Sequence, residues 1–440
     1  MYKLYKFQQY GVDWMINQED TYGFGLLADE MGTGKTIQIY NLIIRKPVQK
    51  TLIIVPSCIV NQWNTILGNI SSIYNKNKQN NHKIIILSHN SMSRLTNNSN
   101  IYNTYWNRLI IDEAHIICNP QTQQSNNLYR IHANYKWAVS GTPFSKSIKD
   151  VKRYYKLFNL PNKINYKIFI KTFMLRRKYQ DIIEIKKPKI NIQYINIPID
   201  KDRNHYIQLI NKLNNMKNQG SLCSLEQIIR LEQISIDSSI GQQAIYCKSQ
   251  DPNDIADQLY DINKLEYIVN QYKVHKQKTI VFCRFNKEIE ILYNLFKKNN
   301  FNPGIINGKN KYISKNENKN DINNIILKKK MQQHFANKIW SYLKPNDIMI
   351  IQVKTANVGL NLQYYNTIYI TIPMWNPYYE KQVISRVYRI GQQNDVNINI
   401  LCSTDCNNEF ETIDQYIIKK QHKKINSINK FIELSKHCIN

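Results

Sequence analysis

The 440-residue chain is short of acid, with 32 aspartates and glutamates against 60 lysines and arginines and a formal net charge of +28. That imbalance attracts any polyanion without regard to sequence, so nucleic acid heads the partner classes, although charge alone fits a generic basic surface equally well. Apolar residues make up 42% of the chain, yet no stretch approaches the roughly 20 unbroken apolar residues of a bilayer crossing. No membrane association is expected. Met1-Tyr2-Lys3-Leu4-Tyr5-Lys6 lacks the basic start, apolar middle and small-residue cleavage site of a secretory signal, so no export is expected. None of the eight cysteines forms a CxxC pair, which suits free thiols in a reducing intracellular compartment. Cys402, Cys406, His437 and Cys438 have only one spacing in the zinc range, and no repeat of fixed period is present.

What is present is a series of strand-length apolar runs. Gly25–Ala28, Thr51–Val55, Ile84–Leu87, Arg108–Ile111 and Lys136–Val139 are continuous rather than alternating, as in strands buried on both faces of a parallel sheet. A second series follows at Lys278–Phe282, Asn302–Ile306, Ile348–Ile351, Thr367–Ile370 and Val396–Ile400. The length also exceeds what one ordinary core holds together. The expected architecture is α/β, two tandem RecA-like lobes, each a mainly parallel sheet flanked by helices. From about 190 to 260 the pattern turns to polar helix, with Leu222, Leu225, Ile228, Ile229, Leu231 and Ile234 at helical spacing. The expected boundaries are 1–190 for the first lobe, 191–262 for a helical insertion and linker, and 263–440 for the second lobe. Tyr74–His82 and Gly308–Lys330 read as solvated loops.

The first strand runs into Asp29-Glu30-Met31-Gly32-Thr33-Gly34-Lys35-Thr36 and then a helical segment. Glycines let such a loop curl its N–H groups toward phosphates, and the following helix adds its positive end. Gly32, Thr33 and Gly34 are expected to cradle ATP, Lys35 to reach the β- and γ-phosphates, and Thr36 to ligate Mg²⁺. The strict pattern asks for glycine where Asp29 stands. Asp112-Glu113-Ala114-His115 closes an apolar strand, so Asp112 is expected to hold Mg²⁺ and Glu113 to polarise the attacking water. Ser140-Gly141-Thr142-Pro143 ends the next strand, where small hydroxyls can sense the γ-phosphate side.

This ordered set resembles the Swi/Snf-type ATPases of helicase superfamily two, the motors of chromatin remodellers and related viral proteins, over nearly the whole chain. Leu4 to Trp14 looks like the opening Q-type motif, which implies that Gln8 reads the adenine edge. Asp29 to Thr36 is similar to the family's Asp-Glu-Met-Gly-Leu-Gly-Lys-Thr, which accounts for the missing first glycine. Val55-Pro56-Ser57 with Trp63 looks like the motif that touches the phosphodiester backbone. Phe173 to Arg177 resembles the segment closing the first lobe, Lys264 to Tyr267 the one opening the second, and Thr279 to Cys283 motif four. Trp375-Asn376-Pro377 followed by Gln382 to Gln392 carries the signature, ending in Arg389-Ile390-Gly391-Gln392. Arg386 and Arg389 stand three apart, on one helical face, and the resemblance implies that they act as arginine fingers from the second lobe. The chain departs from the pattern at Thr355 to Leu362, where two glycines of motif five are replaced, at Tyr388 in place of histidine, and at Met374 in place of aspartate.

The resemblance implies an ATP- and Mg²⁺-dependent motor that translocates on double-stranded DNA without strong sequence preference, with transcription or chromatin proteins as partners. A nucleus or a viral cytoplasmic replication site is the implied location. Two other readings stay open. A strand-separating DEAH-type DNA or RNA helicase shares the ATP site but leaves Arg389-Ile390-Gly391-Gln392 unexplained. An ATP-gated DNA-binding transcription factor that clamps without moving is kept open by the altered motif five.

Overall fold

The computed structural model describes residues 3–75, 82–118, 121–144, 150–161, 163–182, 188–199, 203–204, 206–208, 210–211, 225–237, 240, 263–307, 346–356 and 362–433. The aliphatic runs become the central strands of two sheets. In the first sheet are β1 (Phe24–Leu27), β2 (Thr51–Val55), β3 (Ser71–Ile73), β4 (Ile84–Ser88), β5 (Trp106–Asp112), β6 (Ala133–Val139) and β7 (Met174–Leu175), in the order β3-β4-β2-β5-β6-β1-β7. Its pairings are parallel. Side chains alternate between the two faces, and both faces are buried. Leu52, Ile54, Leu109 and Ile111 enter one core, while Ile53, Ile110 and Trp137 enter the other.

The second sheet holds β8 (Ile190–Ile199), β9 (Thr279–Cys283), β10 (Gly304–Ile306), β11 (Ile348–Gln352), β12 (Thr367–Ile370) and β13 (Val396–Asp405), in the order β10-β11-β9-β12-β13-β8. It too is parallel throughout its described pairings. Ile280, Phe282, Ile368 and Ile398 pack on one face, and Val281, Ile350, Tyr369 and Leu401 on the other.

β8 corrects the sequence reading, which starts a polar helical segment near residue 190. Ile190-Asn191-Ile192-Gln193-Tyr194 alternates with a period of two, the spacing of a strand, although all five are exposed at this sheet edge, and the strand pairs with β13 from Ile190↔Val396 to Ile199↔Asp405. The chain therefore enters the second sheet at Ile190. The helical part of the reading is found further on, as a helix over Leu225–Ile236 that buries Leu231 and Ile234. Leu222, the tip of the 74–82 loop, 308–330 and most of the altered motif five lie outside the described residues.

The helices that position the site are α1 (Lys6–Thr21), α2 (Lys35–Arg45), α3 (Val60–Leu67), α4 (His89–Ser93), α5 (Leu225–Ile236), α6 (Asn263–His275), α7 (Pro377–Ile384) and α8 (Ile413–Glu433). Among the described residues, no helix is long and apolar enough to cross a membrane.

Candidate functional site

In parallel sheets the loops at the carboxyl ends of the strands gather on one edge, where ligands bind. Here those loops follow β1, β2, β4, β5 and β6. After β1 the chain turns through Ala28 to Gly34 and starts α2 at Lys35. Gly32 and Gly34 both adopt φ of +82°, a left-handed geometry open chiefly to glycine. A Cβ on Gly34 would also stand 2.5 Å from Gln8 Nε2. Gln8 is buried against the loop: its Nε2 donates to the Thr33 carbonyl at 2.9 Å, and its Oε1 accepts from the Tyr5 N–H at 3.1 Å. In this structure the Gln8 amide fastens α1 to the loop, a contact that the adenine-edge expectation did not include.

Asp29, standing where the strict pattern has glycine, is fully buried and serves as an anchor. Its Oδ1 accepts from the Arg177 backbone N–H at 3.0 Å and from Arg177 Nε at 2.9 Å, its Oδ2 accepts from Gln38 Nε2 at 3.1 Å, and Arg177 Nη2 closes an ion pair with it. Arg177 also donates to the Phe7 carbonyl and, at 2.9 Å, to Gln38 Oε1. Arg176 beside it donates to the carbonyls of Ala28 at 2.9 Å and Gly141 at 3.2 Å, tying the ends of β1 and β6. The sequence reading assigned no role to this pair. A buried acid in a phosphate loop was the signal, since a buried charge needs a partner.

Lys35 Nζ donates to the carbonyls of Asp29 at 2.8 Å and Glu30 at 3.0 Å. Burial lowers its pKa, against the pull of Glu113, Asp29 and Asp112. The acidic pair closes β5. Asp112 Oδ2 accepts from Trp63 Nε1 at 3.1 Å, and its Oδ1 from the Glu113 N–H at 3.0 Å. The buried His89 places Nε2 3.0 Å from the Asp112 carbonyl, so the N–H tautomer donates there. Trp63 on α3 and His89 on α4 thus hold the acid from the elements after β2 and β4. Glu113 sits at φ +51°, a strained backbone for a side chain and one that clusters at functional sites. His115 Nδ1 lies 3.3 Å from Glu113 Oε2 and 3.4 Å from Ser140 Oγ, linking the acid to the loop after β6.

The two carboxylates are pushed apart. Burial, then the neighbouring Glu113, raises Asp112 to about 6. Burial would raise Glu113 as well, but His115, Lys35 and Arg386 together outweigh it and hold it at about 2. Divergent carboxylates of this kind separate a group that stays ionised well into acid from one that takes up a proton more readily and that a bound cation would hold ionised.

From the second lobe come Arg386 and Arg389. The sequence reading placed both on one helical face, yet α7 ends at Ile384 and the arginines lie in the turns that follow, with Arg386 N–H bonded to Val383 O at 3.2 Å. Gln392 shapes this loop, its Nε2 donating to the carbonyls of Gln363, Tyr365 and Val387 at 3.1, 3.2 and 3.2 Å. The loop reaches the phosphate loop itself: a Cβ on Gly32 would lie 3.0 Å from Arg389 Cβ and 3.3 Å from its Cα. The structure therefore brings Gln8, the 32–36 loop, the acidic pair and both arginines to one cleft.

ATP fits this cleft on chemical grounds. Burial, with Arg386 alongside, lowers Arg389 to about 10, so the two guanidiniums are a pair that an anion would stabilise. Lys35 adds a third cation at a helix start. For Mg²⁺ the candidates are Asp112 and the Thr36 hydroxyl. No cluster of three or more His, Cys, Asp or Glu suited to a metal occurs among the described residues, and Mg²⁺ on phosphates needs only one or two carboxylates.

Residues 7–337 match the family model for the SNF2-related domain. The chain is 20% identical to the "Probable global transactivator" of Orgyia pseudotsugata multicapsid polyhedrosis virus, an alignment covering 98% of this chain and 91% of that protein. It is 24% identical to the "Uncharacterized ATP-dependent helicase MG018" of Mycoplasma genitalium, over 97% of this chain but 42% of the relative. Among solved structures, the Sulfolobus solfataricus SWI2/SNF2 ATPase core in complex with dsDNA shares 20% identity over 98% of this chain and 93% of its own, with a TM-score of 0.40. On the family match, which runs through the phosphate loop, the acidic pair, the first sheet and strands β8 to β10 of the second, the chain belongs to the SNF2-related family of ATP-dependent helicases and translocases.

Proposed function

We propose that the chain is an ATP-driven motor that translocates on duplex DNA, with hydrolysis confined to the cleft between its lobes. The reading rests above all on one observation: Arg389 of the second lobe lies against Gly32 of the phosphate loop, so one site draws on both lobes. Gly32, Thr33 and Gly34 present backbone N–H groups to phosphate, Lys35 exchanges its two carbonyl acceptors for phosphate oxygens, and Thr36 and Asp112 hold Mg²⁺. Bound Mg²⁺ supplies neutralisation of the phosphate oxygens. Glu113, held ionised, orients and polarises the attacking water, with His115 beside its carboxylate. Arg386 and Arg389 stabilise the charge that develops on the transferred phosphoryl group. Gln8 holds the loop in shape, and reading the adenine edge would require its amide to exchange the Thr33 or Tyr5 contact for the base.

Duplex DNA is the preferred track because the signature from Trp375 to Gln392 belongs to motors of that kind, and the +28 charge supplies a sequence-tolerant grip. A place in transcription or chromatin work, in a nucleus or a viral replication site, belongs to this same reading, supported by the likeness to a viral global transactivator.

Steady-state ATPase at fixed salt tests it, with duplex DNA, single-stranded DNA, RNA or no polymer. Duplex DNA should stimulate most, and Lys35→Ala should abolish turnover while nucleotide-free DNA binding persists. Stronger stimulation by single strands would favour an unwinding helicase, and turnover by Lys35→Ala at the normal rate would remove the phosphate assignment.

A further inference from the structure

The seam between the lobes contains an aromatic contact that the catalytic reading does not use. Tyr179 lies just beyond β7, where the chain leaves the first sheet, and its backbone N–H donates to Glu30 Oε2 of the phosphate loop at 2.8 Å. Its ring meets that of Tyr388 edge to face, with centroids 5.2 Å apart and planes at 89°. Tyr388 in turn donates its hydroxyl to the Pro188 carbonyl at 3.3 Å, at the entry to β8. The next residue is Arg389, whose Cα and Cβ crowd Gly32. The contacts close a circuit: phosphate loop, Tyr179, Tyr388, Arg389, and back to the phosphate loop.

We propose that Tyr179 and Tyr388 form an inter-lobe latch that seats Arg389 over the phosphate loop, making both tyrosines positioning residues for ATP hydrolysis. This rests on the reading of Arg389 as a finger. A backbone position fixed on both sides, by an aromatic edge contact at residue 388 and by close packing on Gly32 at residue 389, leaves the guanidinium few directions in which to point. The perpendicular arrangement is one that ring quadrupoles favour over face-to-face stacking. Burial raises both phenols, Tyr179 to about 12, so the latch stays neutral and does not open with pH in the physiological range.

The test uses the full chain and compares Tyr388→Ala, Tyr388→Phe, Tyr179→Ala, the double alanine variant and Arg389→Ala. Readouts are duplex-stimulated ATPase, binding of a fluorescent ADP analogue, and thermal melting. Each single alanine variant should lower kcat about two- to tenfold, the fold-change corresponding to loss of one aromatic pair. ADP affinity and melting should hold, because ADP lacks the phosphoryl group that Arg389 addresses. The double variant should be no worse than the weaker single, since both remove the same contact, and Tyr388→Phe, which keeps the ring, should recover most of the rate. Multiplicative losses in the double variant, or a phenylalanine variant as impaired as alanine, would overturn the latch. If Tyr388→Ala fails to fold, Tyr179→Ala with Tyr179→Phe carries the same comparison. A fully active Arg389→Ala would sink the finger reading instead, whereas an inactive Arg389→Ala beside fully active tyrosine variants would sink the latch alone.

Discussion

At the scale of single residues, the most informative group outside the phosphate loop is His89. It is buried under Asp112, and burial lowers its pKa to about 4 against the opposing pull of its Asp112 hydrogen bond. The sign follows from proton counting. The unfolded chain takes up a proton near pH 6.5 and the folded one only near 4, so the stability that His89 contributes is complete above 6.5 and drains away as pH falls through 4. The full interval corresponds to about 3 kcal/mol. His89→Gln keeps an N–H donor but does not titrate, so its loss of stability between pH 6.5 and 4 should be shallower than in the parent chain. Urea denaturation at several pH values in that interval measures this, and parallel curves for the two proteins would refute it. His89 shows why part of the site was illegible in the sequence. Lys35, Asp112 and Glu113 announce themselves through spacing next to a strand, but His89 acts through a backbone carbonyl 23 residues away, and no local pattern marks such a partner.

At the scale of elements, the second lobe is tied together by a buried charge. Lys264 on α6 pairs with Asp414 on α8 and donates to the Thr371 carbonyl at 3.1 Å beyond β12. Asp414 Oδ2 also accepts from the Ser403 N–H of β13 at 2.7 Å, and its Oδ1 from the Ser235 hydroxyl of α5 at 3.1 Å. Removing one partner of such a pair leaves a bare buried charge and costs about 3–5 kcal/mol. Lys264→Met should destabilise by that order, and adding Asp414→Asn should restore part of the loss, as read from denaturation midpoints. A neutral Lys264→Met, or a double variant worse than the single, would contradict the account. α5 is held further by Glu232, which accepts from Trp375 Nε1 and pairs with Arg284 at 2.7 Å, so this helix packs as part of the second lobe. The amphipathic spacing of Leu225 to Ile234 made that helix legible. Its docking was not, because it depends on Asp414, Trp375 and Arg284, which lie far from it in sequence. The central strands were legible because they are buried on both faces and read as unbroken apolar runs. The edge strand β8 was missed because its exposed residues dilute the pattern with Asn and Gln, and the two-residue β7 is too short to carry one.

At the scale of the whole molecule, charge and closure act together. A net charge of +28 on two lobes joined through one cleft means that a polyanion spanning both is bound by the sum of their phosphate contacts. Closing the lobes aligns the two surfaces, because Arg389 of the second lobe packs against Gly32 of the phosphate loop. Duplex DNA affinity should therefore fall with salt along a log–log line, and a grip of about six phosphates would lose roughly a thousandfold between 50 and 200 mM salt. With a non-hydrolysable ATP analogue the line should be steeper than without nucleotide, because closure brings the second lobe's contacts onto the same duplex. Fluorescence anisotropy with a labelled duplex across that salt range measures both slopes. Equal slopes would mean that one lobe alone carries the DNA, and the cleft would then hydrolyse ATP without passing its closure to the track.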